Sequence, residues 1–171
     1  MFIIGIDPGN KGGVAQLITT PSVGYTIDVY PIPTMKEIIN KKNRIKIDTL
    51  TLTELVRGAD LISLEKSSPM PGEGSIGMFN YGKGYGIILG IAAALSIDVL
   101  EVHPATWKKH MLGKRPKGTD TKNHAITKIK ELYPKIKLLA TKRSKKEHDG
   151  MAEAALIAIY GAQIRYNFEE W

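Results

Sequence analysis

Four acidic residues, Asp7, Glu65, Asp149 and Glu153, fall where a fold could gather them. Asp7 closes the apolar run "FIIGI" and Glu65 closes "DLISL", so each is expected at the end of a buried strand. Asp149 and Glu153 lie in "EHDGMAEAALIAIYG", four residues apart, which places both on one face of a helix. Taken singly, Asp7 reads as a turn residue, Asp149 as a helix cap and Glu153 as a first-turn acid. Their joint pattern points to a site. Gathered carboxylates repel one another and resist ionising together unless a cation neutralises them. Oxygen-only ligation suits Mg²⁺, with Mn²⁺ as a substitute, bound through a few carboxylates and substrate phosphate oxygens. Two such ions, roughly 3.5 to 4 Å apart, activate a water on one side of a phosphodiester and stabilise the leaving oxygen on the other. The chemistry implied is hydrolysis of a nucleic-acid backbone.

The elements that must position these acids follow from periodicity and punctuation. Three strands are expected at the start, Phe2 to Asp7, Gly13 to Thr20 and Tyr25 to Pro31, joined as antiparallel hairpins through glycine-rich and "TPSVG" turns. A helix from Ile47 to Arg57, capped near Asp48, precedes a central strand from Asp60 to Glu65. "GSIGMFNYGKGYGIILGIAAAL", residues 74 to 95, reads as a long helix despite its glycines, and "DVLEVHP" as a further strand ended by Pro104. Helices are then expected at Ala105 to Met111, Thr121 to Leu132 and His148 to Arg165, with "AALIAIYG" as the apolar stripe of the last. The sum is a mixed α/β sheet covered by helices. If the strands ending in Asp7 and Glu65 are adjacent and parallel, their acids lie side by side where open α/β sheets bind ligands.

The chain has 171 residues, enough for a hydrophobic core in one domain spanning 1 to 171, and no repeat or linker divides it. Cysteine is absent, which excludes disulfides and thiolate metal sites. With no secretory leader or long apolar span, an intracellular, non-membrane protein is the expectation. A net charge of +7 favours a polyanionic partner. Lys and Arg concentrate in three charge-dense loops, "KKNRIK", "KRPKG" and "TKRSKK".

Four separated segments, "IIGIDPGNKGGVA", "LEKSSPMPGEGSIGMFNYGKGYGIILG", "HPATWKK" and "HDGMAEAALIA", together resemble the RuvC-type Holliday-junction resolvases, particularly the bacteriophage branch, in order and spacing. The resemblance implies an RNase H-like fold with a mixed five-stranded sheet, three antiparallel strands followed by parallel ones. It also implies a homodimer in the cytoplasm of a bacterial host and Mg²⁺-dependent nicking of opposing strands of a four-way DNA junction. The family's first two catalytic acids fall on Asp7 and Glu65. The closing pair departs from the pattern. Bacterial relatives space it three residues apart, or put a His first, whereas reading back from "EAALIA" here puts Gly150 where an acid is expected. Asp149 is taken to substitute through a small shift at the helix start, with Glu153 as its partner and His148 as a candidate for proton transfer or phosphate contact.

In place of the family's aromatic wedge after Glu65, this chain has Ser67, Ser68, Pro69, Met70 and Pro71. Met70 is the candidate apolar wedge, with a rigid Pro-Met-Pro turn as the structural alternative. Lys66, Lys83, Lys108, Lys109, Lys114, Arg115, Lys117 and Lys122 are expected to grip phosphates, and Trp107 reads as a core residue. The glycine-rich helix is the expected dimer interface, since paired nicks need two sites on a two-fold axis. Two other readings stand beside resolution of four-way and other branched DNA. One is a junction-binding protein with an impaired active site. The other is an actin-like nucleotide binder, which "DPGNKGG" resembles but which needs two large lobes.

Overall fold

In the computed structural model, the described residues are 1–9, 11–20, 24–39, 41–66, 74–114 and 121–168, apart from the side chains of Ile39, Lys42, Thr121 and Lys122. Seven strands and five helices follow in chain order among them: β1 (Phe2–Asp7), β2 (Gly13–Thr20), β3 (Gly24–Pro31), β4 (Thr34–Ile39), β5 (Lys42–Ile47), α1 (Thr49–Val56), β6 (Leu61–Glu65), α2 (Ser75–Ala94), β7 (Asp98–Val102), α3 (Pro104–Leu112), α4 (Thr121–Leu132) and α5 (Asp149–Tyr166). Five strands form one sheet in the order β3-β2-β1-β6-β7. β1 to β3 are antiparallel, while β6 runs parallel to β1 and β7 parallel to β6. This is the mixed sheet expected from the sequence.

Alternation along the central strands divides the core in two. Ile4, Ile6, Ile62 and Leu64 pack with Leu52 and Val56 of α1 and Ile88 and Ala92 of α2 on one face. Ile3 and Leu61 pack on the other with α3, α4 and α5, around the fully buried Trp107 and Ile129. Gly5 lies directly under α5, where a Cβ would overlap the backbone of Ala154 and Ala158. That close approach seats the helix against β1. From Gly150 to Ala162, α5 is buried apart from Glu153. The expected single apolar stripe is therefore corrected: a helix enclosed by the sheet and by two other helices is apolar all round.

The second correction is the hairpin β4–β5, which forms a separate two-stranded sheet where the sequence reading placed a charged loop. Lys42 to Lys46 of "KKNRIK" belong to the second strand of that hairpin, and Lys41, just before it, takes a left-handed φ. Because Ile47 ends β5, the following helix begins at Thr49 instead of Ile47. Its cap is Asp48 as expected, accepting from the Thr51 amide at 3.2 Å and the Thr51 hydroxyl at 2.7 Å.

Candidate active site

Ile6 of β1 is registered against Leu64 of the parallel β6. The next residue on each strand is an acid, so Asp7 and Glu65 stand side by side at the carboxyl ends of two central strands. Ile6 and Leu64 take the α1–α2 face, and alternation turns both acids toward the α5 face. There the first turns of α5 carry Asp149 and Glu153.

The start of α5 is fixed by a backbone crossing. Gly12 makes a parallel bridge to Gly150, and the Gly12 amide donates to the Gly9 carbonyl at 2.7 Å. A Cβ on Gly150 would overlap the Lys11 carbonyl oxygen and Gly12. Position 150, where the family pattern expects an acid, is thus a contact that admits no side chain. Asp149, one residue earlier, lies within electrostatic reach of Asp7 and Glu153. His148 is the N-cap, its Nδ1 accepting from the Met151 amide at 3.2 Å, and its own amide donates to the Leu138 carbonyl at 2.8 Å.

Burial governs the protonation of the carboxyls. It pushes Asp7 from its ordinary value up to about 6, reinforced by Glu65 and Asp149 and opposed by Lys108 and the Gly9 amide, which donates to Oδ1 at 3.1 Å. Burial also raises Glu65, with Glu153 adding to the effect; Lys108, His103 and the Trp107 indole N–H, which donates to Oε2 at 2.7 Å, act against it. Glu153 is raised by burial and by Asp7 and Asp149, while Lys108, its Nζ 3.1 Å from Oε2, opposes the rise. For Lys108 itself burial favours the neutral amine, but Glu153, Glu65 and Asp7 outweigh it and hold the ammonium above its ordinary value.

This donor set fits a hard divalent cation in chemistry. It is oxygen-only, mutually repelling and half-buried, and it has already drawn one cation, the Lys108 ammonium, among its members. Glu153, Glu65 and Asp7 stand around that ammonium, and among the described residues no three Asp, Glu or His side chains come close enough together to hold a metal ion.

The expected phosphate-gripping residues divide. Lys108 is part of the acid cluster instead of the surrounding surface. Lys66 continues the β6–β7 ladder, its amide donating to the Val102 carbonyl at 2.8 Å, with its side chain exposed. Lys83 of α2 lines a cavity of about 110 Å³ with Lys46, Asn80, Tyr81 and the Pro8–Gly9 turn that follows Asp7. Lys109 lines a different hollow, with Thr106, His110 and Tyr160. Lys114 is exposed just beyond α3. Met70, Arg115 and Lys117 lie outside the described residues, as does the side chain of Lys122. Sequence reasoning missed the second role of Trp107. The residue is fully buried, as expected of a core position, yet it also holds Glu65. The available signal was chemical: a buried indole N–H needs an acceptor, and Trp107 stands in a segment that the resemblance had already singled out.

The mixed five-stranded sheet flanked by helices is an RNase H-like fold, and two solved structures specify it further. The chain is similar to RuvC of Thermus thermophilus, with a TM-score of 0.57 and 14% identity over 96% of both chains. It is likewise similar to T. thermophilus RuvC in complex with a Holliday junction substrate, with a TM-score of 0.59 and 13% identity over 96% of both chains. The fold is RuvC-like. No family model and no curated protein matches the chain.

Proposed function

We propose that this protein is a structure-selective endodeoxyribonuclease that resolves four-way DNA junctions, and other branched DNA, by metal-dependent hydrolysis, nicking opposing strands as a homodimer. The observation that carries this reading is the side-by-side placement of Asp7 and Glu65 opposite Asp149 and Glu153, in a RuvC-like fold. Asp7, Glu65, Asp149 and Glu153 would hold Mg²⁺ or Mn²⁺, two ions per site, which supply an activated water and stabilise the leaving oxygen when bound. The chain's own residues orient these groups: Gly9 fixes Asp7, Trp107 fixes Glu65, and the His148 cap with the Gly12–Gly150 crossing fixes the start of α5.

Dimerisation is supported by the N-terminal half of α2, where Ile76 and Phe79 are 69% and 70% exposed. Such a face suits burial against a second copy, and a two-fold axis pairs two nicks. The positive charge of the chain and Lys83 beside the Pro8–Gly9 turn support phosphate contacts. Membership of the bacteriophage branch, and with it a place in a bacterial host cytoplasm, rests on the motif resemblance. Among the described residues no helix is long and apolar enough to cross a membrane.

The test is cleavage of a synthetic mobile four-way junction with Mg²⁺ or Mn²⁺, beside Y-shaped and linear duplex controls. Paired nicks are expected from the native chain. Asp7→Asn, Glu65→Gln and Asp149→Asn should lose nicking yet retain junction binding, and undiminished cleavage by all three rejects the proposal. A second reading, a junction-binding protein without catalysis, is favoured by one feature: an ion pair to Lys108 engages Glu153. Robust paired nicking excludes it.

A further inference from the structure

Lys108 is drawn into electrostatic contact with three of the acids, Glu153, Glu65 and Asp7. Its ammonium lies 3.1 Å from Glu153 Oε2, within reach of Glu65 and Asp7, and 5.1 Å from the centroid of the Trp107 ring. Its position is fixed by sequence: Trp107, its neighbour on α3, is anchored in the core and bonded to Glu65, so the next side chain along the helix emerges beside the acids.

We propose that Lys108 is the resident counter-cation of the acid cluster in the metal-free protein, and that a divalent cation binds there by exchange, with the ammonium leaving Glu153 for solvent. The inference rests on the nuclease reading above. Its physical basis is that several half-buried carboxylates cannot all stay ionised without a compensating charge, and one ammonium compensates only part of it. A lysine suits a temporary occupant. Its charge rides on a flexible four-carbon stem, strongly hydrated once released, unlike the planar fork of arginine. The exit is open, because the Lys108 side chain keeps 34% exposure against 17% for its partner Glu153. Exchange also accounts for the arrangement of Glu153, Glu65 and Asp7, which surround an ammonium without three of the described donors converging on a metal position. The consequence is that metal affinity reports a competition, and that metal loss leaves the cluster neutralised instead of exposed as bare repelling charge.

Two measurements without DNA test this. Mn²⁺ binding at pH 8 is followed by calorimetry for the native chain, Lys108→Met and Lys108→Arg. Removing the competitor should tighten Mn²⁺ binding about tenfold, the order expected for one lost charge repulsion near a protein surface. Lys108→Arg, which keeps the charge, should not tighten it. In the native chain, acylation of Lys108 followed by peptide mass spectrometry should speed up severalfold when Mn²⁺ is added, with exposed Lys109 as the internal reference. This second measurement stands even if the methionine variant fails to fold. Unchanged or weaker Mn²⁺ binding in Lys108→Met, or Lys108 labelling that does not rise with Mn²⁺, overturns the exchange while leaving the nuclease reading intact if junction nicking is observed. Absence of Mn²⁺ binding in every variant overturns the exchange, and the nuclease reading falls only if junction nicking is absent as well.

Discussion

Trp107 donates its indole N–H to Glu65 Oε2 at 2.7 Å from a fully buried ring, so the same residue anchors α3 in the core and aims a carboxylate of the candidate site. Trp107→Phe keeps most of the aromatic volume and deletes the donor. Loss of a hydrogen bond to a charged group should cost about 2 kcal/mol, and a domain of this size should melt about 4–8 °C lower. The bond opposes the rise in the Glu65 pKa, so without it Glu65 titrates at still higher pH. The acid limb of the nicking rate should therefore move upward, and a pH–rate profile of the variant checks it. A lower melting temperature with an unmoved acid limb would make Trp107 a packing residue only.

The crossing of Gly12 and Gly150 yields a purely steric prediction. Gly150→Ala adds one methyl where the Lys11 carbonyl and Gly12 already sit. A core that cannot relax around added volume is destabilised by about 1–3 kcal/mol, and by more where backbone is the obstacle. Gly150→Asp, which restores the acid position of the family pattern, should be at least as destabilised and should not gain activity. Thermal unfolding of both variants beside the native chain settles the matter, since a stable Gly150→Asp would contradict the contact.

The contrast between Gly150 and Asp7 explains what could be read from the sequence. Asp7 and Glu65 were readable because each ends an unbroken apolar run, and such a run has few ways to fold other than as a central strand. The hairpin β4–β5 was not. Among its described side chains only Ile47, at its end, packs against a hydrophobic cluster, and Ile38 and Ile45 are 75% and 67% exposed, so no burial pattern marks it. Gly150 looked like a missing acid because its role is a contact between segments far apart in sequence, which periodicity does not encode. Lys108 looked like a phosphate grip for the same reason: nothing in "TWKKH" distinguishes the lysine that meets Glu153 from Lys109, which lines another hollow.

His148 separates capping from proton transfer. Its Nδ1 accepts from the Met151 amide, so His148→Ala should cost about 1 kcal/mol through the lost cap. Because that cap orients the helix turn bearing Asp149, nicking should fall as well. Asn is a good capping residue without a titratable nitrogen. His148→Asn should therefore recover stability and most of the nicking rate. Recovered stability with a persistent loss of nicking would instead assign the imidazole a direct part in the reaction, and melting curves measured beside single-turnover rates distinguish the two.

Asp7 links stability to pH with a sign opposite to that of most carboxylates. Its ordinary value is 3.8, and burial raises it to about 6 in the folded chain. Between those values the folded state keeps a proton that the unfolded state has released, so stability falls as pH rises through the window, and the full cost is present above about pH 6. A carboxyl raised that far costs the folded chain about 3 kcal/mol once it is ionised. Asp7→Asn removes this contribution while its side-chain oxygen can still accept from the Gly9 amide. In chelator, the variant should match the native chain near pH 4 and melt several degrees higher at pH 7.5. Glu65 and Glu153 are raised too, so a reduced slope should persist in the variant. Saturating Mg²⁺ should narrow or reverse the order, because binding to the folded state stabilises only the chain whose acids hold the ion. Scanning calorimetry from pH 4 to 8, with and without Mg²⁺, measures all of this. Parallel stability curves for the two proteins would show that Asp7 carries no such strain.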